Sequence, residues 1–216
     1  MAQFKIGCGE ITWIEFTPEG IKWKVPEQEV LAQIAAAGYE GVPASPRPGR
    51  SASETLALLE EHGLEPAPGY LGASFWSPDQ TVQILDQARK MAAFMHDLGL
   101  TELYVAAGGF GDYVTSSGKT RSQIAGHVRP EDAMSDAEFA QFAQTLNEVG
   151  EITLENGVRS CFHNHVGSTI ETRQEIDRLF SLVDGDLVFQ GPDIGHLVWA
   201  GADPVQFCRD YAESIK

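Results

Sequence analysis

Short apolar runs alternate along the chain with longer amphipathic stretches, and Gly or Pro stands close to most of the junctions. Runs rich in Val, Ile, Leu and aromatic residues predict strands, and apolar positions at helical spacing predict helices. The predicted strands are Phe4–Gly9, Gly41–Pro43, Glu65–Tyr70, Glu102–Ala106, Val158–Phe162 and Leu187–Gln190. The predicted helices are Pro26–Ala37, Ala52–His62, Pro78–Leu98, Asp136–Asn156, Arg173–Val183 and Pro204–Glu213. This alternation predicts an α/β fold with parallel strands.

Capping signals support the helix boundaries. In a capping box, a Ser or Thr side chain and a Glu or Gln side chain three residues later bond to each other's free backbone N–H groups. The pairs that fit are Ser51 with Glu54, Ser77 with Gln80, Ser135 with Glu138, and Thr172 with Glu175. Glycines at 63, 99 and 157 predict left-handed helix ends followed by the next strand.

Two folds repeat such βα units, the open doubly wound sheet and the closed (β/α)8 TIM barrel. The first predicted strand is followed by "CGEITW", which contains neither GxGxxG nor GxxxxGK[ST], and this favours the barrel. We expect one TIM-barrel domain over residues 1–216 that holds the first six βα units and is truncated at its C-terminus. The alternative is an unclosed barrel whose edge strands pair with a second copy, which makes a homo-oligomer possible.

Charge and cysteine content narrow the class of partner. Thirty-one acidic residues against 15 basic ones give a net charge of −16, which would repel nucleic acid and anionic membrane surfaces. We therefore expect a small-molecule ligand, with no nucleic-acid and no membrane partner. Three cysteines without a CxxC pair, and a start that lacks a signal-peptide pattern, predict a cytoplasmic protein without disulfides.

The segment "CFHNHVGSTIET" at residues 161–172 carries the strongest chemical signal. His163 and His165 stand two apart at the end of a predicted strand, so their side chains point to the same side, and strand ends form the active-site face of a barrel. Imidazoles there can bind a divalent metal, contact a hydroxyl or carry a proton, although they can also brace the barrel rim. Asn164 and Glu171 add polar groups within the same segment.

A second signal, "QGPDIGHL", follows the next strand. Asp193 is a suitable ligand for Mn or Mg, and His196 can orient that carboxylate or contact a substrate. The structural alternative makes Asp193 a turn former and His196 a helix cap. The neighbouring His-Asn-His segment favours a metal site.

Two further regions could contribute to a binding pocket. Glu10 and Trp13 follow the first predicted strand and Trp76 follows the third, where aromatic faces can line a pocket for sugar rings, although core or rim packing explains them equally well. The long connection from residue 107 to 134 concentrates Lys119, Arg121, His127 and Arg129. A connection of this length is typical of a substrate-covering lid, and a solvated excursion is the alternative.

The runs "CFHNHVGSTIETRQEIDRL" and "GPDIGHLVWAGADP" resemble the xylose isomerase-like TIM-barrel superfamily of sugar isomerases and epimerases, most of all its inosose dehydratase branch. This resemblance implies a divalent metal (Mn, Co, Mg or Zn) held by carboxylates and a His at the strand ends, with Asp193 and Glu171 as the metal ligands in this chain. The family's remaining His and Glu ligands would lie beyond Lys216. The candidate catalytic residues are His163, His165 and Glu171, and the candidate substrate-binding residues are His196, Asn164, Glu10, Trp13 and Trp76.

The resemblance implies a metal-dependent sugar isomerase or epimerase, or a keto-polyol dehydratase of the inosose type, that works through an enediolate. In such chemistry a metal acts as Lewis acid while a carboxylate or His moves the proton. An endonuclease acting on abasic DNA is a second possibility in the superfamily, and the net charge argues against it. A third possibility is a non-catalytic sugar-binding or partner subunit with an incomplete metal site.

Overall fold

A computed structural model describes residues 5–17 and 20–216 of the chain. Its strands are β1 (Ile14–Thr17), β2 (Gly20–Trp23), β3 (Gly41–Pro43), β4 (Glu65–Ala67), β5 (Tyr70–Ala73), β6 (Glu102–Ala107), β7 (Arg159–His163) and β8 (Val188–Gln190). Its α-helices are α1 (Glu27–Ala36), α2 (Ala52–Glu61), α3 (Thr81–Asp97), α4 (Asp136–Glu155), α5 (Arg173–Phe180), α6 (Ile194–Trp199) and α7 (Pro204–Asp210).

The parallel strands follow one another in chain order, as in a βα barrel. Strands β5, β6, β7 and β8 form one parallel sheet, and β3 pairs with β4 in a second one. Gly7 bridges in parallel to Gly41 beside β3, and Ile215 bridges in parallel to Gln190 beside β8. The predicted parallel α/β architecture is therefore present, although the two sheets do not join into a closed ring among the described residues.

Alternation along β6 and β7 separates a helix-facing side from an inner side. Leu103, Val105 and Phe162 lie in the main apolar core, together with side chains of α3 and α4 such as Ile84 and Leu146. The opposite side carries Tyr70, Tyr104, Cys161 and His163, because the strand register places Tyr70 beside Tyr104 and Tyr104 beside Cys161. The last residue of β7 therefore presents an imidazole on the inner side.

Local signals predicted most, but not all, of the elements. Three of the four capping boxes are present, whereas Ser77 makes no side-chain cap because a 3₁₀ turn over Pro78–Gln80 precedes α3. The predicted strand Glu65–Tyr70 is two short strands, since Pro68 and Gly69 interrupt it. The β1–β2 hairpin and helix α6 were not predicted. Phe4 of the predicted first strand lies outside the described residues, and the rest of that strand shows only the Gly7 bridge.

The long connection between β6 and α4 is anchored to the rest of the fold. Arg121 is fully buried, its guanidinium donates to both carboxylate oxygens of Glu175 (2.9 and 3.0 Å), and its Nε donates to the Ser168 carbonyl (2.7 Å). Arg121 is therefore a structural anchor. No helix among the residues that the structure describes has both the length and the apolar character to cross a membrane.

Candidate metal centre

His163, Asp193 and His196 converge where β7 and β8 end. One ligand atom from each lies within 4.8 Å of the others. Both His163 Nε2 and His196 Nε2 lie 3.9 Å from Asp193 Oδ2. Ligand atoms on one ion, at bond lengths of about 2.0–2.2 Å, can stand up to about 4.2 Å apart. The two distances between imidazole and carboxylate therefore suit a single divalent ion.

The Asp193 carboxylate has two separate environments. Its Oδ1 accepts the backbone N–H of His196 at 2.9 Å and so caps the first turn of α6. Its Oδ2 faces the two imidazoles. Asp193 is therefore the N-cap of α6, whereas the alternative interpretation of the sequence places a helix cap at His196. The cap leaves one carboxylate oxygen of Asp193 for another partner.

Asn164 fixes the position of Asp193. Its side chain is buried, its amide Nδ2 donates to the Asp193 carbonyl at 3.2 Å, and its Oδ1 accepts the Asp193 N–H at 2.9 Å. Both polar ends of the amide are therefore engaged with one residue of the next βα loop. In this structure Asn164 joins the two segments that carry the site, and its predicted substrate contact stays a prediction.

The surroundings of His163 keep its imidazole neutral. The rings of Tyr70 and Tyr104 meet it edge-on, with centroids at 5.6 and 5.7 Å. Burial lowers the pKa of His163 to about 4, although the Asp193 carboxylate opposes that shift. Burial, together with the nearby His165, also lowers the pKa of His196. A neutral imidazole has the free lone pair that metal binding requires.

The two tyrosines are site residues that the sequence analysis missed. Burial raises the pKa of Tyr70 to about 12, and the Asp193 charge adds to this effect, so Tyr70 keeps its phenolic proton. Tyr104 stands between the core residues Leu103 and Val105, and the period-two alternation of a strand was the signal that could have placed it on the face of His163.

His165 lies against His196. Their ring centroids are 3.8 Å apart, and Phe110 meets His165 edge-on at 4.9 Å. His165 Nδ1 lies 2.7 Å from the Val166 carbonyl, which can only accept a hydrogen bond. Nδ1 is therefore a protonated nitrogen, and in the corresponding tautomer the lone pair lies on Nε2.

Glu171 lies outside this group. It is 1% exposed, and its carboxylate oxygens accept the backbone N–H groups of Gly126 (2.8 Å) and Gly167 (2.5 Å). Burial raises the pKa of Glu171, against the effect of these hydrogen bonds. Gly126 has a φ of +76°, and a Cβ there would come within 2.7 Å of the Trp199 indole, so only glycine fits. In the structure Glu171 therefore joins the long connection to the segment that carries the histidines.

We expect Glu171→Gln to lower the free energy of unfolding by about 1–3 kcal/mol, because one buried N–H then faces an amide NH₂ in place of a carboxylate oxygen. Metal content should stay at the wild-type level. Chemical denaturation and elemental analysis of the same preparations measure both quantities. Glu155→Gln, at an exposed position in α4, is the matched control. Loss of metal at unchanged stability would instead support the predicted role of Glu171 as a ligand.

The acid stability of the metal-free protein should depend on His163. The His163 imidazole binds a proton less readily in the folded chain than in the unfolded chain, because its pKa is about 4 in the fold against the ordinary 6.5. The resulting stability, on the order of 3 kcal/mol, is complete above pH 6.5 and is lost as the pH falls towards 4. Denaturation at several pH values should show a shallower loss over this range for His163→Asn than for wild type or for His127→Asn, an exposed control. Equal slopes in all three proteins would refute the assigned shift.

Three predicted pocket residues have partners elsewhere. Glu10 pairs with Arg47 at 3.3 Å, and burial raises the pKa of Glu10. Trp13 Nε1 donates to Gln33 Oε1 at 2.8 Å, and Trp76 packs edge-on against Tyr113 with ring centroids 5.5 Å apart. Their roles in substrate binding stay predictions.

Comparison with known proteins identifies the family. The profile described as "Xylose isomerase-like TIM barrel" matches residues 31–216. This chain belongs to the xylose isomerase-like TIM barrel family. The fold class and the family predicted from the sequence are thereby confirmed.

Proteins similar to this chain include a curated inosose dehydratase of Geobacillus kaustophilus (strain HTA426), 27% identical over 213 residues that cover 99% of this chain and 67% of that protein. A solved L-ribulose 3-epimerase superposes with a TM-score of 0.70 at 17% identity, covering 99% of this chain and 68% of that one. A xylose isomerase-like protein of Mycobacterium smegmatis, solved in complex with magnesium, superposes with a TM-score of 0.68 at 16% identity, covering 97% of this chain and 72% of that one. The chain spans between 63% and 69% of the length of its curated relatives.

Proposed function

We propose that His163, Asp193 and His196 hold a divalent metal ion in a site that modifies a small sugar or polyol. The observation that carries this proposal is the convergence of their three ligand atoms within 4.8 Å at the ends of β7 and β8. The ligand set differs from the one expected from the sequence resemblance, since His163 and His196 take the place of Glu171 beside Asp193.

The donor chemistry fits such an ion. Two imidazoles and one carboxylate suit Mn, Co or Zn, and Mg would rely more on the carboxylate. Hydrogen bonds from residues around the ligands orient them in metal sites, and the double hydrogen bond between Asn164 and Asp193 is of this kind. A solved relative in the family is described in complex with magnesium, which supports a divalent ion here.

The reaction that we propose begins with removal of the proton beside a substrate carbonyl. A bound divalent ion would supply Lewis-acid stabilisation of the charge that develops on the carbonyl oxygen. His165 Nε2 is the proposed proton acceptor, because Nδ1 is held by the Val166 carbonyl and the ring is fixed against His196. The two hydrogen bonds between Asn164 and Asp193 hold the two loops in fixed relative positions during the proton transfer.

The substrate that we propose is a keto-sugar or an inosose. Similar proteins carry the names inosose dehydratase and L-ribulose 3-epimerase, which support dehydration and epimerisation as outcomes. Isomerisation, expected from the sequence resemblance, is the third candidate. All three share the enediolate that follows the first proton transfer. A cytoplasmic location and pairing with a second copy stay predictions.

Hydrogen exchange beside the carbonyl tests the proposed reaction. We would load the protein with Mn²⁺, add a keto-polyol in D₂O and follow the adjacent proton signal by NMR. Wild type and His127→Gln should exchange this proton, whereas His165→Gln should retain the metal and lose exchange. If wild type binds metal and a polyol without any exchange, the sugar-binding subunit becomes the better interpretation. If wild type binds no metal, the proposed centre is wrong.

A further inference from the structure

A cavity of about 380 Å³ with a mixed polar and apolar lining lies beside the candidate metal centre, between the ends of β5 and β6 and the first turns of α3. Side chains from three segments line it. They include Ser74, Gln80, Gln83, Gln87, Phe110 and Asp112.

The cavity offers free amide groups. Gln80, Gln83 and Gln87 come from the start of α3 and the turn before it, and no described residue bonds to their side-chain amides. Each amide has donors and an acceptor, as the hydroxyl groups of a polyol do. Ser74 Oγ lies 3.4 Å from Asp112 Oδ2 and adds a hydroxyl and a carboxylate to the lining. The lining therefore matches a ligand that carries several hydroxyl groups.

The charge of the cavity disfavours ligands that carry a phosphate group. Among the described residues that line it, none is Lys, Arg or His, and Asp112 is an acidic one. A phosphate group binds through Arg, Lys or clustered N–H donors, and a carboxylate nearby would repel it. The chain as a whole adds to this repulsion, with its net charge of −16. The cavity thus disfavours phosphorylated sugars.

Two aromatic rings connect the cavity to the histidines. Tyr70 lines the cavity, and its ring meets His163 with centroids 5.6 Å apart. Phe110 also lines it, and its ring meets His165 with centroids 4.9 Å apart. Phe110 is 36% exposed, so its ring can pack against the C–H face of a sugar. Tyr70 and Phe110 therefore place the cavity next to the candidate metal centre.

We propose that this cavity binds the hydroxyl groups remote from the carbonyl and selects an unphosphorylated polyol over its phosphate ester. The inference rests on the proposed function and adds the substrate class. Gln83 and Gln87 are assigned as specificity-determining residues, which donate to and accept from the polyol hydroxyls.

Calorimetric titration of the Mn²⁺-loaded protein tests this assignment with two matched pairs, D-fructose with D-fructose 6-phosphate and myo-inositol with its 1-phosphate. We expect the neutral member of at least one pair to bind at least ten-fold more tightly than its ester. The double variant Gln83→Leu/Gln87→Leu should weaken that binding ten-fold or more. Gln28→Leu, at an exposed glutamine of α1, should match wild type, and Gln83→Ala provides a milder change if the double variant is unstable.

Equal or tighter binding of the esters would overturn the inference, as would unchanged binding by the glutamine variants or no binding of either neutral probe by wild type. Metal content and proton exchange are measured on the same proteins. If these remain intact while the binding pattern fails, only the substrate class is wrong. If wild type binds no metal, the proposed function is wrong, and the metal analysis shows this independently of the polyol titrations.

Discussion

Asp193→Ala is expected to lower the metal affinity by more than about 100-fold, because it removes the one carboxylate from the three-residue ligand set. The fold should survive. The same change removes the cap of α6, and loss of a helix cap costs about 1 kcal/mol. Elemental analysis before and after chelation, with a thermal melt of the same samples, measures both effects.

Asp203→Ala is the matched control for this variant. Asp203 caps α7 by accepting the N–H groups of Val205 and Gln206 at 2.9 and 3.1 Å, so its loss removes an equivalent helix cap. It is not part of the group formed by His163, Asp193 and His196. Full metal content is therefore expected in Asp203→Ala. Retention of about one ion per chain by Asp193→Ala would show that the ion binds elsewhere.

Arg121→Met is expected to lower the free energy of unfolding by about 3–5 kcal/mol, because it leaves the Glu175 carboxylate buried without its charged partner. Both side chains are almost fully buried, at 0% and 4% exposure. Glu175 would keep only its bonds to Glu171 N–H and to Thr172. The long connection would also lose the bond from Arg121 to the Ser168 carbonyl.

Urea denaturation of Arg121→Met and Arg129→Met, measured side by side, distinguishes the loss of a buried ion pair from the loss of a positive charge alone. Arg129 belongs to the same connection, but its side chain is 76% exposed and lies 3.9 Å from Glu131. Exposed pairs contribute little to stability, so Arg129→Met should unfold close to wild type. A similar small effect in Arg121→Met would mean that the pair is hydrated and that the connection is held by other contacts.

Much of the fold was predictable because its signals are local. The capping boxes at Ser51, Ser135 and Thr172 depend on residues three apart, and all three formed. Ser77 failed because Pro78 begins a 3₁₀ turn before α3. Helix α6 was missed because its residues were interpreted as a metal motif or as a turn with a cap at His196, whereas Asp193 is the N-cap.

The sequence predicted which residues form the candidate site better than it predicted the role of each one. Two strand-end segments pointed to His163, Asp193 and His196, and the structure brings these three together. The partners of Glu171 could not be inferred, since Gly126 lies 45 residues away in sequence and only tertiary packing brings its N–H to that carboxylate. Arg121 was grouped with the basic residues of a possible lid for the same reason, since its partner Glu175 is 54 residues away.

The Asp193 carboxylate limits how the centre could be redesigned. One oxygen starts a helix and the other faces two imidazoles, so a longer Glu in its place would have to satisfy both demands from a displaced position. Changes of metal preference are therefore easier to introduce at His163. Its side chain caps no helix, and besides the other residues of the centre it meets the rings of Tyr70 and Tyr104. An engineer would vary that strand end first and leave the aspartate in place.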